Sequence, residues 1–258
     1  MSPREPKRAG CKTLSAVGAL LLVSSLAGNW LLGRLAWRNF AKASEVRLDP
    51  AGLKLYATDR EHPSSLRQPG PPTLVFFGDS RAVMWPAPRV PGYQIVNRGV
   101  GNQTTAQMLL RFEADIVPLH PAVVVLEGGI NDLKTLAEFP ERRAAIVADC
   151  EANLARIVER SRQLGATVVL FNIIGVGKIP LWLRPFWSQE IPDAVREVNA
   201  FLPQLAGDKV RLVDANLALD DAHGEIRREY QWEYLHLSPV GYQALDRVLL
   251  PIVSSLPK

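Results

Sequence analysis

The chain has 258 residues, 47% of them hydrophobic, which suffices for one sizeable buried core and little more than one domain. Its 30 Lys and Arg against 26 Asp and Glu leave a formal charge of +4, yet the excess is concentrated in two clusters, Arg4, Lys7, Arg8 and Lys12, then Arg34, Arg38, Lys42 and Arg47. The remaining charges are mixed in sign and lack aromatic–basic interleaving, which excludes a nucleic-acid platform, and two cysteines, Cys11 and Cys150, exclude a disulfide framework.

Residues 1–12 read as a basic cytoplasmic tail. Thr13 to Gly33 carries no charge and is dominated by Leu, Ala, Val and Gly, a stretch long enough for the roughly 20 residues a bilayer crossing takes. Segment 13–33 is therefore expected to be a transmembrane signal anchor. A cleaved signal peptide is the alternative, because Ser25-Leu-Ala27 offers small residues where cleavage needs them. The apolar run continues past that point through Asn29-Trp-Leu-Leu, and Trp30 and Trp37 suit a membrane interface, which favours a retained anchor. Either way the remainder is expected outside the cytoplasm, as a single-pass membrane protein or, after cleavage, a secreted one. Cys11 precedes the apolar stretch, off the position of a lipoprotein acylation site, and Cys150 reads as a small core residue in a helical pattern. Residues 34–72 read as a juxtamembrane connector ending in Gln68-Pro-Gly-Pro-Pro72.

From residue 73 onward, short β-type runs alternate with helical stretches. The strands are expected at Thr73–Phe77, Gln94–Asn97, Ala122–Leu126, Thr167–Phe171 and Val210–Val213, and the helices at Thr104–Val117, Arg142–Leu164, Pro192–Leu205 and Pro239–Val253. Uninterrupted apolar strands separated by amphipathic segments predict a five-stranded parallel sheet covered on both faces, a three-layer α/β/α domain over 73–258. The stretch Ile179-Pro-Leu-Trp-Leu-Arg-Pro-Phe-Trp187 is too rich in proline for a long helix. It reads either as a substrate-side loop or lid, with Trp182 and Trp187 against substrate, or as plain packing of a long connection.

Polar residues gather at three strand ends: Gly78-Asp79-Ser80 after the first, Asn97-Arg-Gly-Val-Gly-Asn-Gln-Thr-Thr105 after the second and Glu127-Gly-Gly-Ile-Asn-Asp132 after the third. In a doubly wound sheet these loops converge on one crevice. Acyl transfer needs a nucleophile, a base and oxyanion donors. Ser80 offers the first; its own N–H, an N–H of the Gly101–Asn102 turn and the Asn131 amide offer the last. Of the four histidines, His62, His120, His223 and His236, only His236 directly precedes the final helix, which Ser238 and Pro239 start. Arg81 and Arg98, beside these blocks, are candidates for an anionic substrate group, with solvated or ion-paired arginines the alternative reading. Asp132 is a candidate brace for its loop. No His or Cys pair has metal-ligand spacing, and no Walker-type phosphate loop is present.

With these residues in order, the chain resembles the SGNH, or GDSL-type, hydrolase family over roughly residues 73–250. Gly78-Asp79-Ser80 matches the nucleophile block, Asn97-Arg-Gly99 onward the second, Gly129-Ile-Asn131-Asp132 the third and His236-Leu-Ser the last. The resemblance implies a flavodoxin-like sheet and a serine esterase or related acyl hydrolase that uses neither metal nor organic cofactor. It assigns Ser80 as nucleophile, His236 as base and Asn131 to the oxyanion hole. The family's oxyanion glycine in the second block falls at Asn102 here, with Gly101 one earlier, and the two remain alternatives as donor. The family's Asp three residues before the histidine is Glu233; Asp214 is the alternative partner.

The expected substrate is an ester-bearing small molecule, lipid or acylated glycan, with the membrane met through the amino-terminal helix and no nucleic acid partner. An O-acyltransferase acting on a cell-surface glycan shares every motif and is the alternative. A non-catalytic scaffold of the same fold, favoured by the departures at Glu233 and Asn102, is the third reading.

Overall fold

The computed structural model describes residues 9–61, 70–222 and 225–257. Most of the basic tail, His62, the start of the Pro- and Gly-rich run at Gln68, and His223 lie outside the described residues. The chain divides into two compact units, Met1–Pro50 and Ala51–Lys258.

The first unit is one helix, α1 (Ala9–Leu48), 40 residues and so about 60 Å long. It runs well past the apolar segment and carries Arg34, Arg38, Lys42 and Arg47 on its second half. Its stretch Ala16–Leu48 is long and apolar enough to cross a membrane. Leu20, Leu21, Leu22, Val23, Leu26, Leu31 and Leu32 all stand exposed along it. The Arg34 guanidinium lies over the Trp30 ring at 5.0 Å.

The second unit is built on five parallel strands, β1 (Thr73–Gly78), β2 (Gln94–Gly99), β3 (Val123–Glu127), β4 (Thr167–Phe171) and β5 (Val210–Val213), ordered β2-β1-β3-β4-β5. This is the flavodoxin-like order, in which the direction of strand addition across the sheet switches between β1 and β3 while the strands stay parallel. The inner strands β1, β3 and β4 are almost wholly apolar because both of their faces are covered. Alternate residues point to opposite faces. Val75, Phe77, Val124, Leu126, Val168 and Leu170 pack into one core, with Met108, Phe112, Leu154 and Val198 above them. Leu74, Phe76, Val123, Val125, Val169 and Phe171 pack into the other, against Trp85, Tyr242, Leu245 and Leu249.

The larger helices are α4 (Thr105–Asp115), α6 (Arg143–Gln163), α7 (Glu190–Phe201) and α9 (Pro239–Ser254); short helices α2 (Ala57–Glu61), α3 (Ser80–Val83), α5 (Ile130–Lys134) and α8 (Asn216–Leu219) lie between the main elements. Pro118 ends the α4 segment early, in a 3₁₀ turn at Val117–Leu119, since proline has no amide hydrogen to continue the helix. Pro192 lies in the first turn of α7, where a missing N–H costs nothing, so that helix begins before it, at Glu190.

The compact unit starts at Ala51, within the segment read as a connector. Gln103 donates to the Ala51 carbonyl at 2.8 Å and the Tyr56 hydroxyl to the Gly99 carbonyl at 2.6 Å. Ion pairs Arg98–Asp59 at 2.9 Å and Arg60–Asp115 at 2.5 Å fasten α2 to β2 and α4.

Candidate active site

At the carboxyl end of β1 the chain turns sharply through Gly78 and Asp79 into α3. A Cβ on Gly78 would sit 2.1 Å from the Glu127 carbonyl oxygen, so β1 and β3 reach this closeness only around glycine. Asp79 caps α3 by accepting from the Arg81 N–H at 2.9 Å. Ser80, the first residue of α3, brings its Oγ to 2.9 Å from His236 Nε2.

His236 stands on a tight turn ahead of α9. Ser238 caps that helix through the Gly241 N–H at 3.2 Å, and the Trp232 N–H donates to the His236 carbonyl at 3.0 Å, closing the turn. Glu233 lies inside it. One carboxylate oxygen accepts from the His236 backbone N–H at 2.8 Å and also meets Nδ1 of the same residue; the other accepts from the Leu235 N–H at 3.1 Å. A carboxylate only accepts, so this contact calls for a proton on Nδ1, the tautomer in which Nε2 is the acceptor facing Ser80 Oγ. Asp214 is occupied elsewhere, accepting from Asn172 Nδ2 at 2.8 Å and the Asn216 N–H at 3.0 Å.

The second and third strand-end loops close the site. Asn102 adopts φ 64°, a left-handed conformation that asparagine tolerates. Asn131, buried on α5, donates to Asp79 at 3.1 Å and to the Gln103 carbonyl at 3.0 Å, and accepts from Lys134 Nζ at 3.2 Å. Asp132 accepts from both the N–H and the hydroxyl of Thr105, at 2.8 and 2.6 Å, bracing the start of α4 against α5. Burial pushes its carboxyl up to about 6.

Comparison with known proteins matches residues 70–244 to the GDSL-like Lipase/Acylhydrolase family. The chain belongs to this family. It is 28% identical over 185 residues to platelet-activating factor acetylhydrolase IB subunit alpha1 of Pongo abelii, covering 69% of this chain and 74% of that one. It is 22% identical over 163 residues to the acetylxylan esterase of Geobacillus stearothermophilus, covering 62% of this chain and 71% of that one. A crystal structure of a GDSL-like lipase from Bacteroides thetaiotaomicron shares the fold with a TM-score of 0.60 at 23% identity, over 80% of this chain and 99% of that one. As a GDSL-like acylhydrolase the chain is an enzyme that cleaves ester bonds.

Two arginines expected at the substrate do other work in this GDSL-like hydrolase. Arg81 is fully buried, donating to the Leu235 carbonyl from Nε at 3.0 Å and Nη2 at 2.8 Å, to Ile174 at 2.5 Å and to Gly175 at 2.8 Å. It bolts the residue before His236 to the loop that follows β4, with its guanidinium turned away from solvent. Arg98 is also buried, paired with Asp59 and stacked over Tyr56 at 4.5 Å, so it serves the docking of α2. Both face inward because the polar groups at these strand ends are themselves buried, which adjacency in sequence does not reveal.

Trp187 packs edge-on against Tyr234 at 5.8 Å and is half-buried, whereas Trp182 stands exposed. Beneath Ser80, the Asp79 and Glu127 carboxyls are fully buried near each other. Burial, reinforced by the Asp79 charge, holds the Glu127 carboxyl well above the ordinary carboxylate range. The sequence reading did not single out Lys134. Its ammonium bonds Asn131 and lies near Asp79 and Glu233, and burial lowers its pKa. The signal available was its position three residues after Asn131, on the same helical face. Among the described residues no group of three His, Cys, Asp or Glu side chains gathers as a metal site.

Proposed function

We infer that this hydrolase cleaves short-chain carboxylic esters through Ser80, His236 and Glu233, by way of an acyl-enzyme, in a domain anchored outside the cytoplasm by α1. The observation that carries the reading is the unbroken chain from Ser80 Oγ to His236 Nε2 at 2.9 Å and from His236 Nδ1 to Glu233. His236 takes the Ser80 proton as Oγ attacks the ester carbonyl, then gives it to the departing alkoxide as the carbon–oxygen bond breaks. Water, deprotonated by the same Nε2, attacks the acyl-serine; the carboxylate leaves and the proton returns to Ser80. Glu233 fixes the imidazole tautomer and stabilises its cation.

The oxyanion forms facing the N–H groups of Ser80 and of the Gly101–Asn102 turn. Asn102 is preferred over Gly101, because its left-handed backbone is the conformation a glycine would supply at that position. Asn131 contributes the N–H now resting on the Gln103 carbonyl; its other N–H is held by the Asp79 carboxylate, the stronger acceptor. An acetyl-sized acyl group is supported by two relatives named for acetyl ester cleavage. Trp187, fixed beside Tyr234, is the better placed of the two loop tryptophans to touch the alcohol portion. Residues 13–33 are read as the anchor within α1, and the basic residues before it favour an inside amino end.

The test is hydrolysis of p-nitrophenyl acetate and octanoate by the purified protein beside Ser80→Ala. Acetate turnover that vanishes in the variant is expected. Equal turnover by both proteins refutes the assignment, and a strong preference for octanoate refutes the short acyl group.

A further inference from the structure

Between β4 and α7 the chain makes a long excursion whose tip turns its largest apolar side chains outward. Leu181, Trp182 and Phe186 are 76%, 73% and 74% exposed, and Trp232, on the His236 turn, is 70% exposed. A soluble surface seldom leaves such side chains unburied together, and the cost in water is about 1.5–3 kcal/mol for each large one that is not covered. These residues are not on a loose flap. The Gly177 N–H donates to the Tyr234 carbonyl at 2.7 Å at one end of the excursion, and Trp187 packs on Tyr234 at 5.8 Å at the other. The excursion is thereby stitched to the turn that carries Glu233 and His236.

Two cations, Lys178 and Arg184, flank the apolar tip; both are exposed, and neither pairs with a carboxylate among the described residues. Tryptophan and phenylalanine beside exposed Lys and Arg is the composition that rests at a lipid headgroup boundary. A second copy of the chain would have to bury those cations, whereas anionic headgroups neutralise them. The same chain also carries a helix long and apolar enough to cross a bilayer.

We propose that the tip at Leu181, Trp182 and Phe186, with Trp232, inserts into the surface of a lipid bilayer bearing anionic headgroups, holding the Ser80–His236 site against the membrane it is tethered to. This rests on the anchored reading of α1 given above. Its consequence is that esters reach Ser80 from the headgroup layer as well as from water.

The test uses the full chain in phosphatidylcholine vesicles with and without phosphatidylglycerol. Cys11→Ser leaves the fully buried Cys150 as the remaining thiol, so Trp182→Cys or Phe186→Cys can be labelled with a polarity-sensitive fluorophore. Gln163→Cys, exposed at the opposite end of the sheet, is the control. Labels at 182 and 186 are expected to shift to the blue and to be quenched by doxyl-labelled lipid, more strongly with phosphatidylglycerol, while the label at 163 does neither. The double change Lys178→Glu, Arg184→Glu should weaken the phosphatidylglycerol-dependent insertion by roughly 25-fold or more, about fivefold per charge removed. Protein that floats with the vesicles while its 182 label stays water-like overturns the proposal and leaves the anchor intact. A blue shift that follows the protein-to-lipid ratio without doxyl quenching overturns it in favour of a second copy. A shift that needs a long-chain phosphonate on Ser80 overturns it in favour of an acyl-chain site. Protein that fails to float refutes the anchored reading, and this proposal with it.

Discussion

At the level of single residues, the chemistry depends on which partner each polar atom keeps. Glu233 meets His236 twice, through its ring and its backbone N–H, and also accepts from the Leu235 N–H, whereas Asp214 is spent on Asn172 and Asn216. Glu233→Gln should therefore lower kcat/KM by at least roughly a hundredfold, and by as much as 10⁴ if the tautomer inverts, while Asp214→Asn leaves it within about twofold of wild type; steady-state kinetics on p-nitrophenyl acetate separates the two. Losing one oxyanion donor costs about 3 kcal/mol, so Asn131→Ala should turn over roughly a hundredfold more slowly with KM little changed. Asp132 gives a pH prediction. Its carboxyl is raised to about 6 in the folded protein from about 3.9 in the unfolded chain. The folded state then holds the proton more tightly, so this contribution is whole below pH ~4 and is lost as pH rises through ~6, about 3 kcal/mol in all. Urea denaturation across that window should show the decline, and Asp132→Asn should flatten it.

Elements differ in how much of them can be read from the chain. The three inner strands were legible because each is buried on both faces, which writes an unbroken apolar run such as Val123–Leu126, while the edge strands β2 and β5 keep shorter apolar runs between turn residues. Ser80, His236 and Glu233 were legible because their spacing within blocks survives in three dimensions. Helix α2 and the 3₁₀ turn before it, Leu53–Tyr56, were not, since their contribution comes from Tyr56, Asp59 and Arg60, polar residues whose partners Gly99, Arg98 and Asp115 lie far along the chain. Arg81 stayed open for the same reason: nothing local says that its guanidinium turns inward to three carbonyls on other segments. Its role makes a prediction at this scale. Arg81→Met strands those carbonyls and removes the cation nearest Glu127, 3.8 Å away; a loss of roughly 3–5 kcal/mol is expected, read by chemical denaturation. Activity should fall with it, because Leu235 adjoins His236.

For the whole molecule, the two units differ in what they bury. The compact unit hides its apolar strands between two helical layers, while α1 leaves its leucines and valines open along Ala16–Leu48. In water each large exposed side chain forgoes about 1.5–3 kcal/mol of burial, a cost a bilayer removes. The full chain should resist alkaline carbonate extraction from membranes, and a chain beginning at Ala51 should not; release of both would refute an anchoring role for α1. The catalytic assignment is tested most directly by a fluorophosphonate, which bonds only a serine whose proton a neighbouring base can take. The account predicts one adduct, on the peptide carrying Ser80, absent from Ser80→Ala and strongly slowed in His236→Gln. An adduct of equal rate on the Ser80→Ala protein would contradict it.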